Sequence, residues 1–260
     1  MRIDPPSVLA IDTATEMCSV ALLHGDKLTE LIEHVGSRHS ERVLPMIDTV
    51  LSDAGLQLSD IDFFAFGAGP GSFTGLRIAS GIVQGLAYGS RKQVVPIGNL
   101  RALAAGVFES VATGERVLAA IDARMNESYC AIYQRESAIS EVRAPSLERP
   151  QSLARLAVEA SVDIVAGNAL TAFAEVWPPQ KTWIALPSAS PTAGTFARLA
   201  RIDIERGLAV SPAEAVPVYV RDQVALTIEQ RQASVNPPLQ RSSNATVSSG
   251  PSSSMGLARS

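Results

Sequence analysis

Two aspartates close matching strands in this chain of 260 residues. Val8-Leu-Ala-Ile-Asp12 reads as a buried strand ending in a carboxylate, and Val117-Leu-Ala-Ala-Ile-Asp122 repeats it. A return strand follows at nearly the same distance in each case, through Val20-Ala-Leu-Leu and through Cys130-Ala-Ile-Tyr133. A strand, a carboxylate, a turn and an antiparallel return that occur twice point to a duplicated unit. Two such halves would face one another across a cleft, where paired carboxylates can position magnesium while glycine turns wrap phosphates. The turns here are the wrong ones for that work. Thr13-Ala14-Thr15 follows Asp12 and Ala123-Arg124-Met125 follows Asp122, with a Cβ where a phosphate-wrapping turn usually carries glycine. The plainer role for both carboxylates is to cap their own turns.

The stretch from Gly67 to Arg77 holds four glycines and Pro70, and cannot lie inside one regular element. It reads as a tight crossover from a buried strand, Ile61 to Phe66, into a helix from Leu76 to Gly89. Backbone N–H groups in such a turn can hold an anion. Yet Leu76 follows Gly75 where a nucleotide loop needs lysine, and Ser72 or Thr74 stands where the dinucleotide fingerprint needs glycine. The helix after the turn carries one charge, Arg77, and repeats glycine at 81, 85 and 89 along one face. An uncharged helix is expected to be buried on all sides. Each glycine gives up ~1 kcal/mol of helix propensity relative to alanine, which makes sense where another backbone comes very near. That backbone belongs either to the chain itself or to a partner helix.

Other chemistry lacks its residues. His24, His34 and His39 show neither His-x-x-x-His nor His-Glu-x-x-His spacing, and Cys18 and Cys130 show no Cys-x-x-Cys. The cysteines read as buried free thiols of a reducing compartment. Ser72 does not sit in Gly-x-Ser-x-Gly, because Gly75 comes three residues after it. No catalytic residue, cofactor or metal ligand is assigned.

The elements that would position these residues follow from pattern. Gly25-Asp26 between apolar runs marks a hairpin, so Met17–His24 and Lys27–Val35 pair antiparallel. Ser40 can cap a helix to Ala54, with Val43, Leu44, Ile47, Val50, Leu51 and Ala54 on one face and a bend at Pro45. A strand at 93–97 and a helix from Asn99 to about Ala112 complete the first half. The second half continues with a strand near 138–143, a helix after Pro150, a strand at 162–166 and a helix from Thr192 to about Glu205, and residues 216–221 close it. From Gln232 onward a serine-rich stretch without acidic or aromatic residues reads as a disordered tail. With 46% hydrophobic residues, a net charge of -4 and a pI near 5.5, the chain reads as globular, without the basic surface of a nucleic-acid glove. No run has the length of a membrane span or a signal peptide, and a cytoplasmic location is expected.

Several of these motifs occur together in one known family. Ile11-Asp-Thr-Ala-Thr15, His39-Ser-Glu41 with Leu44-Pro45, Gly69-Pro-Gly-Ser-Phe-Thr-Gly-Leu-Arg77, Ile121-Asp-Ala-Arg124 and Pro217-Val-Tyr-Val-Arg221 closely resemble the bacterial TsaB (YeaZ-type) tRNA threonylcarbamoyladenosine biosynthesis proteins. The resemblance covers about Val8 to Ala225. It implies an α/β ASKHA (actin-like ATPase) fold of two duplicated RNase-H-like lobes with mixed sheets, here 1–113 and 114–231; the serine-rich tail at 232–260 departs from the family pattern. It also implies a non-catalytic paralogue that binds the transferase TsaD and works with the ATPase TsaE, the complex modifying adenosine 37 of tRNAs that read ANN codons. In the family, helices of the first lobe pair with the same helices of TsaD, or of a second copy. The expected contact residues are therefore Leu44, Ile47, Leu51, Ile78, Gly81, Ile82, Gly85 and Gly89, with tRNA reached only through the complex and no membrane involved. The metal-binding histidines of TsaD-like proteins fall by position on Asn99 and Leu103, and their glycine-rich adenosine turn is reduced to Gly167-Asn168. Against this stands an ATP-dependent phosphotransferase of the same fold acting alone, for which Asp12 and Asp122 speak.

Overall fold

The computed structural model describes residues 5–178 and 183–221. The tail expected over 232–260, and the end of the second half at 222–231, lie outside the described residues. The chain opens with β1 (Val8–Asp12), β2 (Met17–His24) and β3 (Lys27–His34), antiparallel in turn, with Gly25 in the left-handed conformation that its hairpin requires. Next come α1 (His39–Ala54), β4 (Phe63–Gly69), α2 (Phe73–Ser90), β5 (Gln93–Gly98) and α3 (Asn99–Ser110). The first sheet has the order β3-β2-β1-β4-β5, in which β4 and β5 run parallel to β1.

The second half repeats this plan. β6 (Arg116–Asp122), β7 (Ser128–Gln134) and β8 (Ser140–Glu148) are antiparallel. After α4 (Pro150–Glu159), β9 (Ile164–Ala166) joins β6 in parallel; β10 (Ile184–Leu186), which follows the short α5 (Ala169–Ala172), joins β9. The order β10-β9-β6-β7-β8 is the first sheet's order drawn a second time. Asp12 pairs with Ser19 and Asp122 with Ser128, so each first strand ends on an aspartate opposite a serine.

Packing places the helices by their apolar faces. Val43, Met46, Ile47, Val50 and Leu51 of α1, with Ala79, Val83 and Ala87 of α2, cover one side of the first sheet. α3 lies between the two sheets, sending Ala102 and Ala105 to the first and Leu100, Leu103, Ala104 and Val107 to the second. Its C-terminal carbonyls at Phe108 and Val111, and that of Gly114, accept hydrogen bonds from Arg135 at the end of β7.

Three local expectations change. α1 starts at His39 with Arg38 at the cap position and no side-chain cap, so Ser40 lies inside the first turn. α2 starts at Phe73, three residues early, because Ser72 accepts a hydrogen bond from Gly75 N and caps it. α2 is also not buried all round: Leu76, Ala79, Ser80, Val83 and Ala87 face inward, while 77, 81, 85, 88 and 89 are exposed. Its lack of charge reflects small residues on an open face rather than burial.

The largest difference is long-range. α6 (Ala193–Glu205), read above as part of the second half, returns to the free side of the first sheet, where Phe196, Ala197, Leu199 and Ala200 pack on Val8, Ala10, Ala65 and Ile97. Its first turn is tied to that sheet through Ser19 Oγ, which accepts from Ala193 N at 2.9 Å, and Glu30, which accepts from Gly194 N at 2.6 Å. A carboxylate there opposes the positive end of the helix dipole. Asp203 of α6 and Arg101 of α3 form a bidentate ion pair at 2.6 and 2.9 Å. After the helix the chain stays on the first half as far as Val218, whose N donates to Ala68 O.

Candidate functional site: the glycine turn and the open helix face

The glycine turn is shaped by what presses on it. Gly67 lies where a Cβ would come 2.8 Å from Asp12 Oδ1 and 2.9 Å from Asn99 Oδ1. Gly75 lies against the carbonyl of Thr13, where a Cβ would collide with backbone. Glycine at these points lets the β1–β2 turn nest under the start of α2. Three of the N–H groups expected of an anion cradle are used within the protein. Gly69 N donates to Asn99 Oδ1 at 2.9 Å, Ser72 N to Ala14 O at 2.9 Å and Gly75 N to Ser72 Oγ at 3.3 Å. Thr13 Oγ1 donates to Gly75 O at 2.7 Å and closes the contact from the other side.

Both aspartates cap their own turns. Asp12 Oδ1 accepts from Ala14 N at 3.0 Å, and Asp122 Oδ1 accepts from Arg124 N at 2.8 Å, the same two-residue step in each lobe. Asp12 is fully buried, and burial pushes its carboxyl up to about 7 despite the N–H groups of Ala14 and Thr13, which pull it down. Enclosed under Gly67, with Oδ1 already accepting from Ala14 N, the carboxyl presents no open face for a ligand. Asp122 is more open, and Arg124 lies 3.6 Å from it.

The positions that resemble TsaD ligands are put to structural use. Leu103 is buried in the core between the sheets. Asn99 is fully buried and holds Gly69 N through Oδ1, while its Nδ2 has no hydrogen-bond partner among the described residues. Nothing in the residue pattern pointed to Asn99 as the support of the glycine turn, because the contact joins residues 30 positions apart. Asn168 Oδ1 accepts from Asp122 N at 2.8 Å, so the reduced turn of the second lobe props its aspartate strand.

The three histidines are scattered. His39 is buried and 3.3 Å from Met17 O, while His34 lies 3.5 Å from Glu16. His24 Nδ1 is 2.7 Å from Ser7 Oγ, a contact that resembles a nucleophile and its base. However, Ser7 is buried, and the neighbouring Asp62 accepts from the Ser7 amide rather than from the imidazole. Among the described residues no group of three or more His, Cys, Asp or Glu is placed to hold a metal. Cys18 and Cys130 are free and buried, and burial raises their thiols to about 12 and about 11.

The open surface lies on α2. Gly81, Gly85 and Gly89 are exposed, and a Cβ built at any of them meets nothing within 4 Å. Ile78 and Ile82 flank them half-buried, and Tyr88 beside them is 81% exposed. On α1, Leu44 is 48% exposed. Ile47 and Leu51, expected on the same contact face, are 3% and 7% exposed and belong to the core under α1. At three and seven residues beyond Leu44 they share its side of the helix, with Leu44 at the exposed edge of that face.

Two lobes of one topology, each with an aspartate at the end of its first strand and a helix shared between the sheets, define the ASKHA class of α/β folds. Residues 33–185 match the family described as TsaD: tRNA N6-adenosine threonylcarbamoyltransferase. The Haemophilus influenzae tRNA threonylcarbamoyladenosine biosynthesis protein TsaB is 38% identical over 228 residues, covering 84% of this chain and 94% of that protein. YeaZ from Pseudomonas aeruginosa superposes with a TM-score of 0.74 at 38% identity, over 82% of this chain and 99% of the other. A second solved chain, described as an uncharacterized protein with similarity to peptidase YEAZ from Pseudomonas aeruginosa, gives 0.76 at 39%, over 83% and 100%. The chain belongs to the TsaB (YeaZ-type) family.

No helix among the described residues is long and apolar enough to cross a membrane.

Proposed function

We propose that this chain acts in tRNA threonylcarbamoyladenosine biosynthesis as a non-catalytic subunit, docking a TsaD-type transferase through the outer face of α2 and Leu44 of α1. A TsaE-type ATPase joins the assembly, the target is adenosine 37 of ANN-decoding tRNAs, and a second copy of the chain can occupy the same face when the transferase is absent. The observation that carries this reading is the exposed row Gly81, Gly85 and Gly89. Glycines that accept a loss of helix propensity where an added Cβ would meet nothing among the described residues leave room for another helix backbone. The non-catalytic part is supported by Asp12, which is buried, by Leu103, which is core, and by three donors of the glycine turn that are spent on Asn99, Ala14 and Ser72.

Gly85→Arg tests the docking face. The open space at Gly85 accommodates the side chain in the free protein, so the variant is expected to fold and to lose co-purification with the transferase. Undiminished co-purification counts against this surface. The rival, an ATP-dependent phosphotransferase acting alone, predicts magnesium-dependent ATP turnover by the isolated chain that falls in Asp12→Asn. Calorimetry without a heat of ATP binding dismisses it.

A further inference from the structure

The segment after α6 joins the two lobes. Ala215 O accepts from Ser80 Oγ at 2.8 Å and from Gln84 Nε2 at 3.2 Å, two side chains of α2. Three residues on, Val218 N donates to Ala68 O at 2.7 Å. Tyr219 then stands 5.5 Å from the ring of Phe73, and its hydroxyl accepts from Arg77 Nε at 3.1 Å. The Arg77 guanidinium lies 3.8 Å from the centre of the Phe73 ring, so the first turn of α2 and Tyr219 form one stack. Beyond this point the contacts change lobe. Val220 packs with the core of the second lobe, and Arg221 Nη2 donates to Ala123 O at 3.1 Å and to Glu127 Oε2 at 2.6 Å.

Ala123 and Glu127 bracket the β6–β7 turn, whose middle is strained. Arg124, Met125 and Asn126 have φ of 63°, 55° and 58°, three successive left-handed residues without a glycine among them. Such a run persists only where its surroundings over-determine it. Arg221 holds both ends of it. The middle of the turn also reaches the first lobe through the exposed ion pair of Arg124 with Glu16 at 3.4 Å, which is weak in water.

We infer that residues 215–221 are a coupling strap, through which the strained β6–β7 turn of the second lobe and helix α2 of the first hold each other in place. The mechanical statement stands on this chain alone. Its consequence, that the second lobe tunes docking of the transferase, rests on the reading of α2 as the docking helix.

Amide hydrogen exchange on the full chain tests the strap. Arg221→Ala is expected to speed exchange about tenfold both in 123–128 and in 68–84, while β2 and residues 129–134 of β7 keep their protection. Tyr219→Phe, which removes only the hydroxyl on Arg77, produces a smaller change that reaches 123–128, because coupling between two sites is reciprocal. Faster exchange confined to 123–128 in the first variant, with 68–84 unchanged, overturns the inference. Should Arg221→Ala fail to fold, Glu127→Gln is read in the same two regions by the same criterion. Coupled exchange together with retained transferase binding by Gly85→Arg sinks the docking reading and keeps the strap. Uncoupled exchange with lost binding does the reverse.

Discussion

Replacing Asp12 with asparagine is expected to make the protein more stable above neutral pH and to leave it nearly unchanged below pH 4. The carboxyl is fully buried under Gly67, and burial lifts it from the usual value of 3.8 to about 7. Between those two values the folded chain keeps a proton that the unfolded chain has released, so stability falls as pH rises through that window and stays low above it. A separation of about 3 pH units at about 1.4 kcal/mol each amounts to about 4 kcal/mol by pH 8.5. Asparagine retains an oxygen to accept from Ala14 N and cannot ionise. Urea unfolding of both proteins at half-unit steps from pH 4.5 to 8.5 reads the difference directly, and taking a difference cancels the other titrating groups, including Glu33 and Glu214, whose carboxyls are held low. The variant's advantage should grow across this range to several kcal/mol. An advantage that is flat with pH, or a variant that loses ground as pH rises, refutes the claim that burial outweighs the Ala14 and Thr13 N–H groups at Asp12. It would then be an ionised carboxylate of the sort that a magnesium-dependent cleft needs.

Three further substitutions probe the packing of α2, α3 and α6. Asp203→Ala strands Arg101 at the α3–α6 contact and should cost about 3 kcal/mol, seen as a lowered urea midpoint; a loss under about 1 kcal/mol means the pair is screened by water. Gly75→Ala drives a methyl into the Thr13 carbonyl and should cost about 1–3 kcal/mol or more, whereas Gly81→Ala, in open space, should raise stability by up to about 1 kcal/mol. Equal effects of the two alanines would contradict the contrast between a packed glycine turn and an open glycine row.

The duplication was legible because each half repeats a local pattern: a strand, an aspartate and a return strand lie within about 25 residues of sequence. The Gly25-Asp26 hairpin and the glycine row were legible for the same reason. What the pattern could not carry were contacts between distant residues. Nothing around Phe196 or Ala200 says that α6 leaves the second half for the first sheet, since either sheet would accept that apolar face. The glycine turn showed that something must come close but not that it would be Thr13 and Asp12 rather than a phosphate. On α1, apolar periodicity grouped Leu44 with Ile47 and Leu51, although the sheet buries only the last two. On α2, the absence of charge reads as burial, although glycine and tyrosine leave one face open.

The most direct test is reconstitution of tRNA modification from purified parts: a TsaD-type transferase and a TsaE-type ATPase, supplied with threonylcarbamoyl-adenylate or its precursors. The wild-type chain is expected to raise the yield of modified adenosine 37, Gly85→Arg to leave it at the level without the chain, and the chain alone to produce none. Full activity with Gly85→Arg, or modification by the isolated chain, would contradict a non-catalytic subunit that works by docking its partner on α2.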